Sequence, residues 1–261
     1  FSATASIGMI HMGNEKEAED ILSPYINGTG PQSSPFSTSG AYYAYGLINA
    51  NRYSNEKFLY LQNGFRNSGN NENIQHGVCL GLGLVSMATS NDEVYKEFKN
   101  VLYSDSAVAG EAAALGMGLV RLGTAHEDSI SEMITYANDT NHEKIIRALA
   151  VGLGLIMYEK EEIADPLIDQ LGTSKDSILR YGAMFTIGLA YAGTGNNSAI
   201  KKLLHFAVSD VTDDVRRAAV INLGFVMFKT PERLPEILHL LSESYNPHTR
   251  YGVALALGIG C

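Results

Sequence analysis

A glycine returns about every 36 residues inside the apolar runs of this chain, at Gly8, Gly46, Gly83, Gly116, Gly154, Gly188, Gly224 and Gly258. The gaps are 38, 37, 33, 38, 34, 36 and 34 residues. Six residues before each anchor stands a second small residue: Gly40, Gly77, Gly110, Ala148, Gly182, Ala218 and Gly252, with Ser2 at the equivalent place in the first copy. Eight copies in register are not coincidence, and they limit the chain to architectures built by stacking one repeated unit. Glycine is in excess, 26 of 261 residues, while proline is only 7. That combination describes neither collagen nor a flexible linker. The glycines sit inside stretches such as GVCLGLGLV (77–85), where backbones must pass close together.

Each copy reads alike. A small-residue apolar stretch (RYGAMFTIGLAYAG, 180–193) runs into a Gly/Thr/Asn turn, then into an amphipathic stretch (SAIKKLLHFAV, 198–208) and a polar connection (SDVTDD, 209–214). Ile200, Leu203, Leu204 and Val208 recur near helical spacing, and both stretches have helix rather than strand length. Asn246-Pro247 places a capping side chain before a proline suited to a first helical position. Asp213 and Asp214 stand where they complement a helix dipole. The chain is therefore predicted all-α, a solenoid of helix–turn–helix repeats whose first helix is buried on most sides and whose second exposes a charged face. Interior helical glycine costs about 1 kcal/mol relative to alanine, so its recurrence implies a packing return. Positions 0 and −6 lie about 120° apart on a helix, which suits a helix gripped by both neighbours and packed tighter than usual. TGPQSSPFSTSG (29–40) is expected as an exposed connection and NGFRNSGNNEN (63–73) as a mobile loop. The repeat phase survives both, so residues 1–261 are expected to form a single array. Phe1 is no initiator methionine and Cys261 ends a helical pattern in mid-stride, so a piece of a longer chain, with a truncated last repeat, is expected.

The formal net charge of −9 opposes phosphate-backbone binding. The C-terminal 200–261 segment, with 7 basic and 6 acidic residues, is the least acidic part. Cys79 and Cys261 form no ligand-spaced pair, which fits a reducing compartment. No apolar run reaches the length of a membrane span. His126-Glu127 and His142-Glu143 lack the second histidine of a zinc-protease motif, with Ile130 and Ile146 in its place. Gly81-x-Gly83 and Gly152-x-Gly154 lack the third glycine of a dinucleotide fingerprint, and there is no Gly-Lys dipeptide for a phosphate loop. Asp210, Asp213 and Asp214 are the nearest approach to a catalytic acid cluster, but they fall at a turn and a helix start, where capping explains them. Arg147, Arg180, Arg216, Arg217 and Arg250 recur seven or eight residues before the anchors and are expected to bond the preceding turn. Tyr42, Tyr43 and Tyr45 suit core packing rather than a peptide groove. No catalytic, cofactor-binding or metal residue is expected, and no nucleic acid, membrane or small-molecule substrate.

The pattern of 180–196, repeated as RRAAVINLGFVMF (216–228) and RYGVALALGIG (250–260), resembles the proteasome/cyclosome (PC) repeat family. That family includes two large non-ATPase subunits of the proteasome regulatory-particle base and the largest anaphase-promoting-complex subunit. The stretch LLHFAVSDVTDDVRRAAVINLGFVMFKTPE, with LLSESYNPHTRYG (240–252), is similar in detail to the larger of the two proteasome members. The resemblance implies a toroid with inner and outer helix rings, of which about eight repeats lie here. It implies a non-catalytic scaffold in cytoplasm and nucleus, contacting the ATPase ring and lid, with a ubiquitin receptor bound through regions outside this chain. The alternative is a helical-repeat adaptor such as the cyclosome subunit.

Overall fold

Small apolar runs bounded by Ser, Asn or Asp become helices because those side chains take the first free amides. In the computed structural model, which describes residues 1–28, 34–104 and 106–261, such caps recur. Asn71, Asn91, Asn196 and Asn246 each accept from amides two or three residues on, as do Ser34, Ser54, Ser106 and Asp176. The described residues hold 15 α-helices, three short 3-10 segments and no strand.

The chain forms two compact units, Phe1–Leu122 and Gly123–Cys261. The first holds α1 (Ser2–Ile10), α2 (Ala18–Ile26), α3 (Pro35–Ile48), α4 (Asn55–Asn67), α5 (Glu72–Val85), α6 (Asp92–Leu102) and α7 (Ala107–Val120). The second holds α8 (Glu127–Asp139), α9 (Glu143–Ile156), α10 (Asp165–Gly172), α11 (Ser177–Ala190), α12 (Asn197–Ser209), α13 (Asp213–Met227), α14 (Leu234–Ser242) and α15 (Pro247–Gly260). Within each unit odd helices stack in order, α1 on α3 on α5 on α7, and α9 on α11 on α13 on α15. Each even helix packs chiefly on the odd helix that follows it. Each amphipathic helix thus pairs with the apolar helix of the next copy, across the polar connection.

Two connections differ from expectation. Of the segment 29–40, residues 29–33 lie outside the described residues. Pro35 onward is helix, because Ser34 caps Ser37, Ser37 returns the bond to Ser34, and Pro35 fills a position that needs no amide. Of 63–73, Asn63–Asn67 completes α4 and Glu72 and Asn73 begin α5, so only four residues connect them. The asparagines there are caps, Asn71 Oδ1 accepting from Asn73 and Ile74.

The turns after the odd helices carry a device that amphipathic patterning does not reveal. In most copies the residue five past the register glycine, and in three copies also the residue seven past it, adopts left-handed backbone and donates its amide to the end of the next odd helix. In the first unit Gly13 donates to Ile48 O, Asn51 to Leu84 O, and Ala88 and Ser90 to Leu119 O and Val120 O, at 2.9–3.1 Å. In the second, Gly123 and Ala125 reach Leu155 O and Ile156 O, Glu159 reaches Leu189 O, and Gly193 and Gly195 reach Phe225 O and Val226 O, at 2.8–3.1 Å. Terminal carbonyls of a helix have no partner of their own, and here the preceding repeat supplies one. Ala88, Ala125 and Glu159 hold φ of 60°, 52° and 57° without being glycine. Left-handed backbone costs about 1–2 kcal/mol at such residues, which the inter-repeat bonds offset.

Candidate functional site

The repeat glycines form the seams between odd helices. A Cβ added at Gly8 would lie 2.6 Å from Ala44 Cα, one at Gly46 2.4 Å from Gly81 Cα, and one at Gly83 3.0 Å from Gly116 Cα. In the second unit it would lie 3.2 Å from Thr186 N at Gly154, 1.9 Å from Asn222 Oδ1 at Gly188, and 2.7 Å from Ala256 O at Gly224. Each anchor faces the residue two places before the next anchor on the following helix. The −6 glycines face the preceding helix: an added Cβ would lie 2.5 Å from Phe1 O at Gly40, against Ser39 O at Gly77, 2.5 Å from Ala150 Cβ at Gly182 and 3.1 Å from Arg217 O at Gly252. Gly110 is buried in α7, and Gly258 meets nothing within 4 Å.

The fourth copy shifts the register. Gly116 receives Gly83, and its own Cβ would strike the Phe98 ring at 2.5 Å; this is the receiving position that Gly81 holds one repeat earlier. The anchor place falls on Gly118, whose offsets of five and seven reach the left-handed Gly123 and Ala125. The gaps of 33 and 38 then become 35 and 36, a regularity that could have exposed the shift in the sequence.

Asn222 is the polar member of this seam. It is fully buried; Nδ2 donates to Ala218 O at 2.8 Å, while Oδ1 receives no N–H or O–H among the described residues. A Cα hydrogen of Gly188 points at that oxygen, a weak interaction available only to a residue without a side chain.

The arginines and aspartates of the second unit form one ladder. Arg180 donates to the carbonyls of Ser174 and Lys175, at 3.0 Å each, and grips Asp210 with Nε at 2.8 Å and Nη2 at 3.2 Å. Arg250 repeats the clamp on Ser244 O and Tyr245 O, at 2.7 and 3.0 Å, and Arg216 bonds Asp210 O at 2.5 Å and the Asp213 carboxylate. Asp214 is shared by Arg217 at 2.8 Å and Arg147 at 3.2 Å. Arg147 also lies over the Tyr181 ring at 4.7 Å. Burial opposes ionisation of Asp210, but the bonds from Arg180 and the Thr212 amide outweigh it and hold the carboxyl below its usual range. Asp213 is lowered chiefly by its bond from Asn246, then by Arg216. Carboxylates so engaged serve as helix-end clamps, and none projects into a cavity as an acid or base.

Other reactive groups are spent on structure. Cys79 is buried and its thiol is pushed up to about 12, far from nucleophilic. His126 caps α8 by accepting from the Ser129 amide, and His76 Nδ1 lies 2.8 Å from Val108 O. Tyr42 and Tyr45 are buried, Tyr45 stacked on Tyr60 at 4.6 Å, and burial raises all three phenols; Tyr43 stacks on Phe1 at 5.8 Å. Among the described residues no three His, Cys, Asp or Glu gather as a metal site, and no helix is long and apolar enough to cross a membrane.

Stacked helix pairs, glycine seams and clamped turns define an α-helical repeat protein. Residues 112–146 match the proteasome/cyclosome repeat, and residues 200–259 match HEAT repeats. Over its whole length the chain is similar to 26S proteasome subunits. It is 55% identical to 26S proteasome non-ATPase regulatory subunit 1 homolog A of Arabidopsis thaliana, covering 100% of this chain and 26% of that protein. It is 51% identical to 26S proteasome non-ATPase regulatory subunit 1 of Drosophila melanogaster (100% and 25%) and 52% to 26S proteasome regulatory subunit RPN2 of Saccharomyces cerevisiae (100% and 28%). The chain thus spans about a quarter of the length of these relatives. Human deoxyhypusine hydroxylase in complex with glycerol aligns over 97% of both chains at 12% identity with a TM-score of 0.40, too distant to inform fold or function.

Proposed function

We propose that the chain is the repeat region of a non-catalytic scaffold subunit in the base of the proteasome regulatory particle. One observation carries this: sequence identity of 51–55% to named regulatory subunits of plant, fly and yeast, over an alignment that covers the whole of this chain. The glycine seams support it, since the repeats spend their small residues on packing and their carboxylates on clamps. In this reading the residues form one array of about eight PC repeats, part of a toroid with inner and outer helix rings. Gly8, Gly46, Gly83, Gly154, Gly188 and Gly224 hold its joints, with Gly116 receiving Gly83 in the fourth copy. The scaffold organises the ATPase ring and lid in cytoplasm and nucleus, and a ubiquitin receptor binds elsewhere on the subunit. The named relatives favour this over the cyclosome adaptor. The test is affinity purification of the tagged full-length protein: proteasomal ATPases are expected in stoichiometric amounts, and recovery free of them would sink the proposal.

A further inference from the structure

The even helices pack on odd helices rather than on one another, and between α8 and α10 this leaves an open groove of about 450 Å3. Met157 and Leu167, both buried, form its floor, and Ile130 and Ile134 of α8 line one wall. Ile163 stands at the lip, 65% exposed. Its position is set by backbone: Glu159 and Glu161 are left-handed, with φ of 57° and 47°, and the Glu159 amide is tied to Leu189 O at 3.1 Å. The isoleucine is thus held in water at the mouth of a trough with an apolar floor, to whose walls Ser131, Thr135 and Gln170 also contribute.

The rim is acidic. Glu127 lines the groove and Asp128 follows it, while Glu161 and Glu162 precede Ile163, all four exposed; Lys160 is the base of that turn. Asp165 and Asp169 of α10 are taken up by Lys202, at 3.2 and 3.3 Å. Residues 123–175 carry ten acidic and four basic side chains. A second copy would bring the same carboxylates to the rim, and anionic lipid or nucleic acid would meet like charge.

We propose that this groove docks an amphipathic helix of a partner protein. Its apolar face would rest on Ile130, Ile134 and Ile163, and lysines or arginines flanking that face would meet Glu127, Glu161 and Glu162. Helix-in-groove recognition needs these two things, a trough for anchors at helical spacing and a charged rim that selects the partner. The proposal deepens the scaffold reading and rests on it for the partner being a protein.

The full 261-residue chain is titrated by fluorescence anisotropy with two synthetic helical peptides sharing one leucine stripe, flanked in one by lysines and in the other by glutamates. The lysine peptide is expected to bind at least tenfold tighter and to weaken as salt rises. Ile163→Asp should cost that peptide at least tenfold while leaving the melting temperature unchanged, since the side chain is exposed. Glu161→Lys with Glu162→Lys should reverse the preference. No binding by the lysine peptide, equal binding of both, or indifference to Ile163→Asp would overturn the proposal. So would self-association abolished by Ile163→Asp, which makes a second copy the occupant. Peptide binding with failed ATPase co-purification would sink only the proteasomal assignment, and the converse only the groove.

Discussion

Glycines at equivalent repeat positions are not equivalent in cost, because what decides is the atom a Cβ would meet. At Gly46 that atom is backbone, Gly81 Cα at 2.4 Å, so alanine must push two helices apart. At Gly154 the nearest atoms are 3.2–3.3 Å away, and the neighbour need give only a few tenths of an ångström. At Gly258 there is open space. Overpacking costs typically about 1–3 kcal/mol, and alanine recovers about 1 kcal/mol of helix propensity. In this chain Gly46→Ala should therefore lose on the order of 2 kcal/mol, Gly154→Ala should stay within about 1 kcal/mol of wild type, and Gly258→Ala should gain up to about 1 kcal/mol. Urea denaturation of the three variants checks the ranking, and wild-type stability in Gly46→Ala would refute it. The recurrence of glycine at these places was legible in the sequence, but which Gly tolerates a methyl was not, because it depends on the facing helix.

At the scale of the element, helix ends are held by groups from other repeats. Arg180 joins the turn before its own helix to Asp210, which lies 30 residues on and is 5% exposed at its side chain. Removing one partner of such a pair leaves the other buried and uncompensated, and Asp210→Asn should cost on the order of 3 kcal/mol at neutral pH. The folded-state pKa of Asp210 lies below its reference of 3.8. Its contribution is therefore present above that reference and lost as pH falls through the lower folded value. The gap between wild type and Asp210→Asn should close in strong acid, as thermal melts from pH 7 to pH 2 would register; a gap independent of pH would contradict the ion-pair account. The arginine spacing predicted bonds to the preceding turn, and Arg180, Arg216 and Arg250 make them. Its pattern could not show that Arg147 reaches Asp214, 67 residues away, because that distance closes only when helices stack.

Across the whole molecule, each odd helix finds its principal partners immediately before and after it in its unit. Stability in such an array approximates a sum of repeat and interface terms. A wedge at one seam should therefore loosen its own neighbourhood first. In Gly46→Ala, hydrogen exchange should accelerate at amides of α3 and α5 while amides of α11 and α13 keep their protection. Uniform acceleration throughout would show a single cooperative unit instead.

Helix existence, the alternation of apolar and amphipathic helices, the cap at Asn246, the acidic first turn at Asp213 and Asp214 and the glycine period were fixed by local chemistry, since propensity, periodicity and capping act within a few residues. Tertiary structure decided the rest. It put Gly116 in the receiving position opposite Gly83, forced Ala88, Ala125 and Glu159 into left-handed backbone to reach the next helix, and left Ile163 at the lip of a groove. Those outcomes depend on atoms a repeat or more away in the chain, which no local pattern brings together until the helices pack.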